Sequence, residues 1–436
     1  MTKTAGNKEI NQRIWMLARL LMIILAAAIL AAPPVPAHAG EGDGHSIAAE
    51  DEPAMPAGDG HSIAAEDEHD MPAADRRDTP AGNGPMRGIW LSFKDYAALG
   101  LTIAEDEETY RENTDRFLAE ARKYRINTVF LHVRAFDDAF WRSRTFRASH
   151  YIGGDERLTA WEAYKEYDPV GVFLEEAHKY GMEVHAWLNP YRVSNDFYYD
   201  PADDGSTQRI LTAVKELLAF ESGGEKIDGI HFDDYFYNAA TGYYRIGAPD
   251  DGYVIVNSYA EQPAGVSCRV VTPVEKRGNV NRMIRLVYRI VSGAGRTFGI
   301  SPAGNYDNAM NDGADIDTWL SQEGYIDYII PQIYWTNQWG EAASTTMFSD
   351  RLDLFLQKRR NHAKFYVGLA LYKTDPSNSA GDPGWTLKNT NLQEQIAELE
   401  WKGADGYVYF SAQDLFKNSA SEELENVRNY SLQGTN

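Results

Sequence analysis

The sequence predicts an α/β fold: a (β/α)8 TIM barrel behind an export signal and a disordered acidic linker. Eight apolar runs of strand length recur between residues 86 and 412, with crossovers between them, the signature of parallel βα units. The turn after the first run, Ser92-Phe93-Lys94-Asp95, has no glycine, whereas an open doubly wound sheet usually carries a Gly-rich turn there. About 350 residues remain once the unlike N-terminal segment is set aside, the size of one large barrel.

That N-terminal segment divides in two. Lys3, Lys8, Arg13 and Arg19 precede the apolar run Leu20 to Ala32, and Ala37-His38-Ala39 offers a small-x-small cleavage site before Gly40. The run is short of the ~20 residues a helix needs to span a bilayer. Residues 1–39 are therefore expected to be a signal cleaved after about Ala39, with an uncleaved anchor as the alternative. The expected location is secreted or cell envelope, without stable membrane insertion after cleavage. In residues 40–85, Gly42 to Glu52 recurs as Gly58 to Glu68, and 12 acids oppose only Arg76 and Arg77. Low hydrophobicity with like charge predicts a disordered linker.

The whole chain carries a net charge of −22. With +3 on residues 1–39 and −10 on the linker, −15 remains on residues 86–436. Such a balance disfavours nucleic acid, which needs clustered Lys and Arg. The single cysteine, Cys268, excludes an intramolecular disulfide and a Cys-rich metal centre.

The predicted strands are Met86–Phe93, Ile126–Val133, Met182–Leu188, Ile227–Asp234, Arg296–Ala303, Ile326–Tyr334, Lys364–Tyr372 and Ala404–Ala412. Helical patterns cover Thr109–Tyr124, Asp168–Tyr180, Gln208–Phe220, Val280–Val291, Phe348–Asn361 and Leu392–Lys402. Gly181, Gly324 and Gly403 sit between helical and strand patterns, as helix C-caps. A divergent insertion at about 239–273, carrying Cys268, is expected to border the cleft.

Barrels of this kind work at the carboxyl ends of their strands. Those ends collect Trp90, Arg134, Asp138, Asn189, Arg192, His231, Asp233, Asp234, Tyr237, Gln332, Tyr334, Trp335 and Tyr372. Carboxyls beside aromatics suit glycosidic hydrolysis, in which one carboxyl protonates the leaving oxygen and another stabilises the oxocarbenium-like state or activates water. Alternation along the fourth strand puts His231, Asp233 and Tyr235 on one side, with Ile230, Phe232 and Asp234 on the other. Apolar Ile230 and Phe232 suit the outer helices, so His231 and Asp233 face inward. Asp233 is the first candidate for the catalytic carboxylate and Asp234, at the strand end, the second.

Several segments carry a family resemblance. Met86 to Leu91, Asn127 to Arg134, His185 to Ser194 and Asp228 to Tyr237 resemble the glycosyl hydrolase-like 10 family. Asn279-Val280-Asn281, Phe298 to Pro302, Ile326 to Trp335 and Tyr366 to Ala370 continue the likeness in order. It implies a glycosidase-type barrel in an exported setting, and at least one member of the family cuts peptide-free peptidoglycan strands. The chain departs where the family commonly has Gly-Asp after the second strand, because Asp137 replaces the glycine before Asp138.

Residues Asp228 to Tyr235 also resemble the Asp-Gly-x-Asp-x-Asp-x-Glu motif of family 18 chitinases. Tyr235 replaces the acid Glu and His231 the middle Asp, so a copy of that substrate-assisted mechanism is not expected. The proton donor is then Asp234 or a carboxyl from another strand, with Asp138 the candidate. Arg134 and Arg192 are expected to hold carboxylates or a substrate acid group; Asn189, Gln332, Tyr334 and Trp335 to orient and stack sugars. His185 and His231 are expected to make internal hydrogen bonds, although with Asp233 they match a two-His, one-carboxylate metal set.

The expected activity is hydrolysis of an N-acetylated envelope glycan, with peptide-free peptidoglycan strands the expected substrate, without a cofactor. The alternatives are a non-catalytic carbohydrate-binding barrel and a metal-dependent polysaccharide hydrolase or deacetylase. Oligomeric state is not legible.

Overall fold

The computed structural model describes residues 84–237, 242–246 and 252–433. The expected signal, and all of the expected linker except its last two residues, lie outside the described residues.

Eight strands close a barrel: β1 (Met86–Leu91), β2 (Thr128–Arg134), β3 (Glu183–Leu188), β4 (Gly229–Asp233), β5 (Thr297–Ser301), β6 (Tyr328–Ile329), β7 (Lys364–Leu369) and β8 (Gly406–Phe410). Each pairs in parallel with its neighbours in sequence, and β8 returns to pair with β1. The predicted TIM barrel is the fold observed. Strand β6 is much shorter than Ile326–Tyr334 suggests. Pro331 has no amide hydrogen for the ladder, and the amides of Ile333 and Tyr334 turn back onto the Pro331 and Gln332 carbonyls.

The longer helices are α1 (Glu107–Lys123), α2 (Pro169–Lys179), α3 (Asp204–Leu218), α4 (Pro273–Gly293), α5 (Tyr306–Asn311), α6 (Met347–Leu356), α7 (Asn391–Lys402) and α8 (Asn418–Gln433). Helices α3 and α4 begin a turn or more before the apolar stripe does. Their polar first turns are held by caps, Asp203 accepting from Ser206 N and Thr272 forming a reciprocal capping box with Glu275. Gly403 caps α7 in the left-handed region, and Gly181 follows α2 likewise. Gly324 is left-handed too, but it follows a turn rather than a helix.

Strand side chains segregate by face. Ile89, Leu131, Val184, Ile230, Phe232, Ile300, Val367 and Tyr409 join the helices in the main apolar core. A separate cluster of Trp90, Phe130, Trp187, Tyr328, Ile330 and Val408 fills the barrel. Bulky rings fit there because glycines face them: a Cβ on Gly299 would lie 2.1 Å from the Tyr328 ring, and one on Gly229 2.6 Å from His185.

The insertion also has structure that pattern reading missed. Gly242–Tyr244, Tyr253–Val256 and Cys268–Val270 join Phe197–Tyr199, from the loop after β3, in a four-stranded sheet. Buried Asp200 anchors it, accepting from Tyr253 Oη at 2.5 Å and pairing with Arg269. Cys268 is half-buried on the outer strand, its Sγ donating to the Val266 carbonyl.

Candidate active site

The floor of the site is a polar layer inside the barrel. Trp90 Nε1 donates to His231 Nε2 at 3.3 Å, and Tyr328 Oη lies 3.3 Å from His231 Nδ1 and 2.8 Å from His185 Nδ1. An indole N–H can only donate, so it assigns His231 Nε2 as acceptor and Nδ1–H as the donor toward Tyr328. Burial holds the His231 imidazole well below its usual pKa, so it is neutral. Trp90 and His231, both expected to bind substrate, are enclosed here, neither more than 2% exposed. Both histidines are turned to Tyr328, and no group of three or more His, Cys, Asp or Glu among the described residues is arranged to share a metal ion.

One step further along β4 is Asp233, facing inward as alternation predicts. Its Oδ1 accepts from Gln332 Nε2 at 3.0 Å and from the Asp234 amide at 2.9 Å. Gln332 Nε2 also donates to the Ser301 carbonyl, tying the carboxylate to the end of β5. Asp234 folds back to share a hydrogen bond with the Asp233 carboxyl.

Two adjacent carboxyls at low polarity cannot both ionise readily. Burial raises both, but Asp233 is helped by the Asp234 amide, Arg192 and Gln332. Asp234 is pushed up by burial, by the Asp233 charge and by Asp312. Of the two, Asp234 is therefore the carboxyl that keeps its proton to the higher pH.

Arg192 completes the charge arrangement. Its guanidinium lies between the rings of Phe136, at 4.7 Å, and Tyr235, at 4.5 Å, and donates to Asn195 Oδ1. Tyr235 was not among the expected site residues, yet it sits beside Arg192 with both carboxyls acting on its hydroxyl. Alternation had already put it on the Asp233 side. It also lies near Tyr198, on the strand Phe197–Tyr199 that pairs with the insertion's strands, ring centroids 6.3 Å apart.

Tyr334, Tyr372 and Phe410 form an aromatic wall, each pair of centroids 5.9 Å apart, and the Tyr334 hydroxyl feels both carboxylates. Phe410 was missed because a phenylalanine ending a barrel strand reads as core. Trp335 stands beside the wall, half-buried, with the Arg351 guanidinium 4.3 Å from its ring centroid.

Four expected site residues serve the scaffold. Arg134 is fully buried, donating to the Asn189 and Pro190 carbonyls and to Asp137 Oδ1 at 2.7 Å. Asn189 is fully buried with Nδ2 on the Ala135 carbonyl. Tyr237 is enclosed under the insertion, its hydroxyl accepting from Asn279. Asp138 accepts from the Phe136 amide and bonds Ser149; the charges acting on it most are Arg134 and Asp137 rather than the Asp233 pair. Arg134, Asn189 and Tyr237, expected at the cleft, are each at most 2% exposed.

Asp137, the departure from the family glycine, joins β2 to α3. It takes Arg134, both ends of the Arg209 fork at 3.0 Å and the Tyr199 hydroxyl at 2.6 Å.

Comparison with known proteins follows the barrel. The family model described as glycosyl hydrolase-like 10 matches residues 85–196 and 188–387. The glycosyl hydrolase YngK of Bacillus subtilis (strain 168) is 26% identical over 381 residues, spanning 76% of this chain and 69% of that protein. The glycosyl hydrolase DigH of Escherichia coli (strain K12) is 27% identical over 385 residues, spanning 75% and 82%. Among solved structures, Ostrinia furnacalis Group IV chitinase is similar at a TM-score of 0.48 with 9% identity, over 79% of this chain and 99% of that one.

Proposed function

The chain belongs to the glycosyl hydrolase-like 10 family, and from that premise we propose that it hydrolyses glycosidic bonds of an N-acetylated cell-envelope glycan outside the cytoplasm. Peptide-free peptidoglycan strands are the substrate this reading favours, with the segment before residue 40 as the export signal.

The observation that carries the reading is the hydrogen-bonded Asp233–Asp234 pair, close enough to act on Tyr334 of the aromatic wall. Asp234 delivers its proton to the leaving oxygen as the glycosidic bond breaks. The Asp233 carboxylate, held by Gln332 and Arg192, stabilises the positive charge that develops on the sugar. Water adds to the anomeric carbon and its proton returns to the pair. Carboxyls joined by a hydrogen bond are nearer than the ~5 Å or ~6.5–9.5 Å of carboxyls that flank a sugar, so the two act as one acid–base unit.

Full-length protein incubated with peptide-free glycan strands and read by mass spectrometry tests this. Shortened strands are expected. Loss of acetyl groups without chain cleavage would move the assignment to a deacetylase, and bound but intact strands to a carbohydrate-binding barrel.

A further inference from the structure

Lys373 follows Tyr372 on the turn leaving β7 and is 6% exposed. Among the described residues its ammonium makes no ion pair and no hydrogen bond. The carboxylate that acts on it, Asp382, is committed to the Thr336 amide and hydroxyl. Burial pushes the ammonium pKa down, and Asp382 offsets this only in part. The lysine stem is covered, while the ammonium stays accessible to a ligand and, among the described residues, has no protein anion of its own.

What the ammonium faces is Trp335, whose ring centroid is 6.0 Å from Nζ. That ring is braced. Arg351 lies over it and donates to the Gly304 carbonyl at 3.0 Å, and Gly304 lacks the Cβ that would sit 2.8 Å from the ring. A braced, half-buried indole offers apolar surface to a pyranose, and a second cation near it matches an acid group on that sugar.

We propose that Trp335 and Lys373 form a subsite for a sugar ring carrying a carboxylate, with Lys373 as the residue that reads the acid. This deepens the glycoside hydrolase reading and rests on it for the presence of a glycan in the cleft. Arg192 is less suited, being already enclosed by two rings and bonded to Asn195. The shared ligand chemistry is a sugar-borne carboxylate, either on a lactyl ether or at C6 of a uronate.

Calorimetric titration separates the cases. Asp233→Asn protein, used to prevent turnover, is titrated with four tetrasaccharides. They are a peptide-free N-acetylglucosamine–N-acetylmuramic acid tetramer, its carboxyl-reduced form, an N-acetylglucosamine–glucuronate tetramer and an N-acetylglucosamine tetramer. At least one acidic tetramer is expected to bind about tenfold or more tighter than its neutral counterpart, and which one identifies the source of the acid. Lys373→Met and Lys373→Gln are each expected to remove that preference, and Lys373→Arg to keep it. Equal binding of acidic and neutral tetramers with Lys373 intact overturns the proposal without any variant at that position, as does a preference that survives loss of the lysine charge. Cleavage by the unsubstituted protein reports separately on the hydrolase reading. No cleavage together with a Lys373-dependent preference sinks the reading and leaves the subsite standing; cleavage without the preference does the reverse.

Discussion

Gln332 donates from one nitrogen to both Asp233 Oδ1 and the Ser301 carbonyl, 3.0 Å in each case. A side chain from the segment after β6 thereby fixes the carboxylate at the end of β4 against the end of β5. Replacing it with alanine removes a donor that favours the ionised carboxylate. The Asp233 pKa then rises, and the acid limb of kcat/KM against pH moves to higher pH. A loss of about 10- to 100-fold in kcat/KM near neutrality is expected, about 1.4 kcal/mol per factor of ten. An unmoved acid limb would remove Gln332 from the catalytic account.

Under the proposed mechanism, Asp234 governs the opposite limb. Burial and the Asp233 charge hold its proton well above the ordinary carboxylate range. Activity is therefore expected to persist above the pH at which a free Asp is ionised, and to fall as Asp234 loses its proton. Asp234→Asn should cost about 10²- to 10⁴-fold in kcat and abolish the alkaline limb. A variant retaining that limb shows another group to be the donor.

Arg192 lowers the Asp233 pKa through its charge and lies against Tyr235. Arg192→Met keeps much of the packing and removes the charge. Its acid limb should move up in pH, and the added salt that leaves the parent profile in place should not restore it, because a buried charge is poorly screened. An acid limb at the parent position refutes the electrostatic role.

Asp137→Gly restores the residue the family commonly has, yet it is expected to destabilise this chain. Arg134 is fully buried, and Asp137 is its carboxylate partner. Removing one side of such a pair costs about 3–5 kcal/mol, to be read as a lowered midpoint in urea unfolding. Asp137→Gly with a parent-like midpoint would show that the carbonyls of Asn189 and Pro190 suffice for Arg134.

His178 provides a pH-dependent test at the opposite end of the barrel. Burial alone would lower its pKa, but Asp228 and Glu225, bonded to its two ring nitrogens, raise it. That stabilisation is present below the unfolded histidine value of ~6.5 and is lost as pH rises through the folded value. For Asp228, burial raises the pKa and the bonds to His178 and the Val184 amide more than offset it, leaving it lowered. Its share is present above ~3.9 and lost as pH falls through the folded value. His178→Gln should thus cost most between about pH 4 and 6.5, roughly 1–2 kcal/mol after allowance for partial exposure, and progressively less at higher pH. A cost independent of pH would show that shape rather than charge matters there.

Much of the barrel was legible because strand and helix periods are local. Eight apolar runs placed eight strands, and alternation along Ile230-His231-Phe232-Asp233 correctly sent the two polar residues inward. Errors arose at polar turns, which carry no apolar stripe: the capped starts of α3 and α4, short helix α5, and the sheet assembled from the insertion and Phe197–Tyr199.

The site was legible in part. By itself the sequence determined the fold, the strand that bears the carboxyls and the inward face of Asp233, since all three follow from repeating patterns along one chain. Only the tertiary structure decided which polar strand ends meet. Arg134 and Asn189 turn into the scaffold, Asp138 binds its own loop, Tyr235 comes to Arg192, Phe410 to Tyr334 and Lys373 to Trp335. Beyond the last ladder bond a strand no longer dictates side-chain direction; partners on other strands do, and those become neighbours only when the barrel closes.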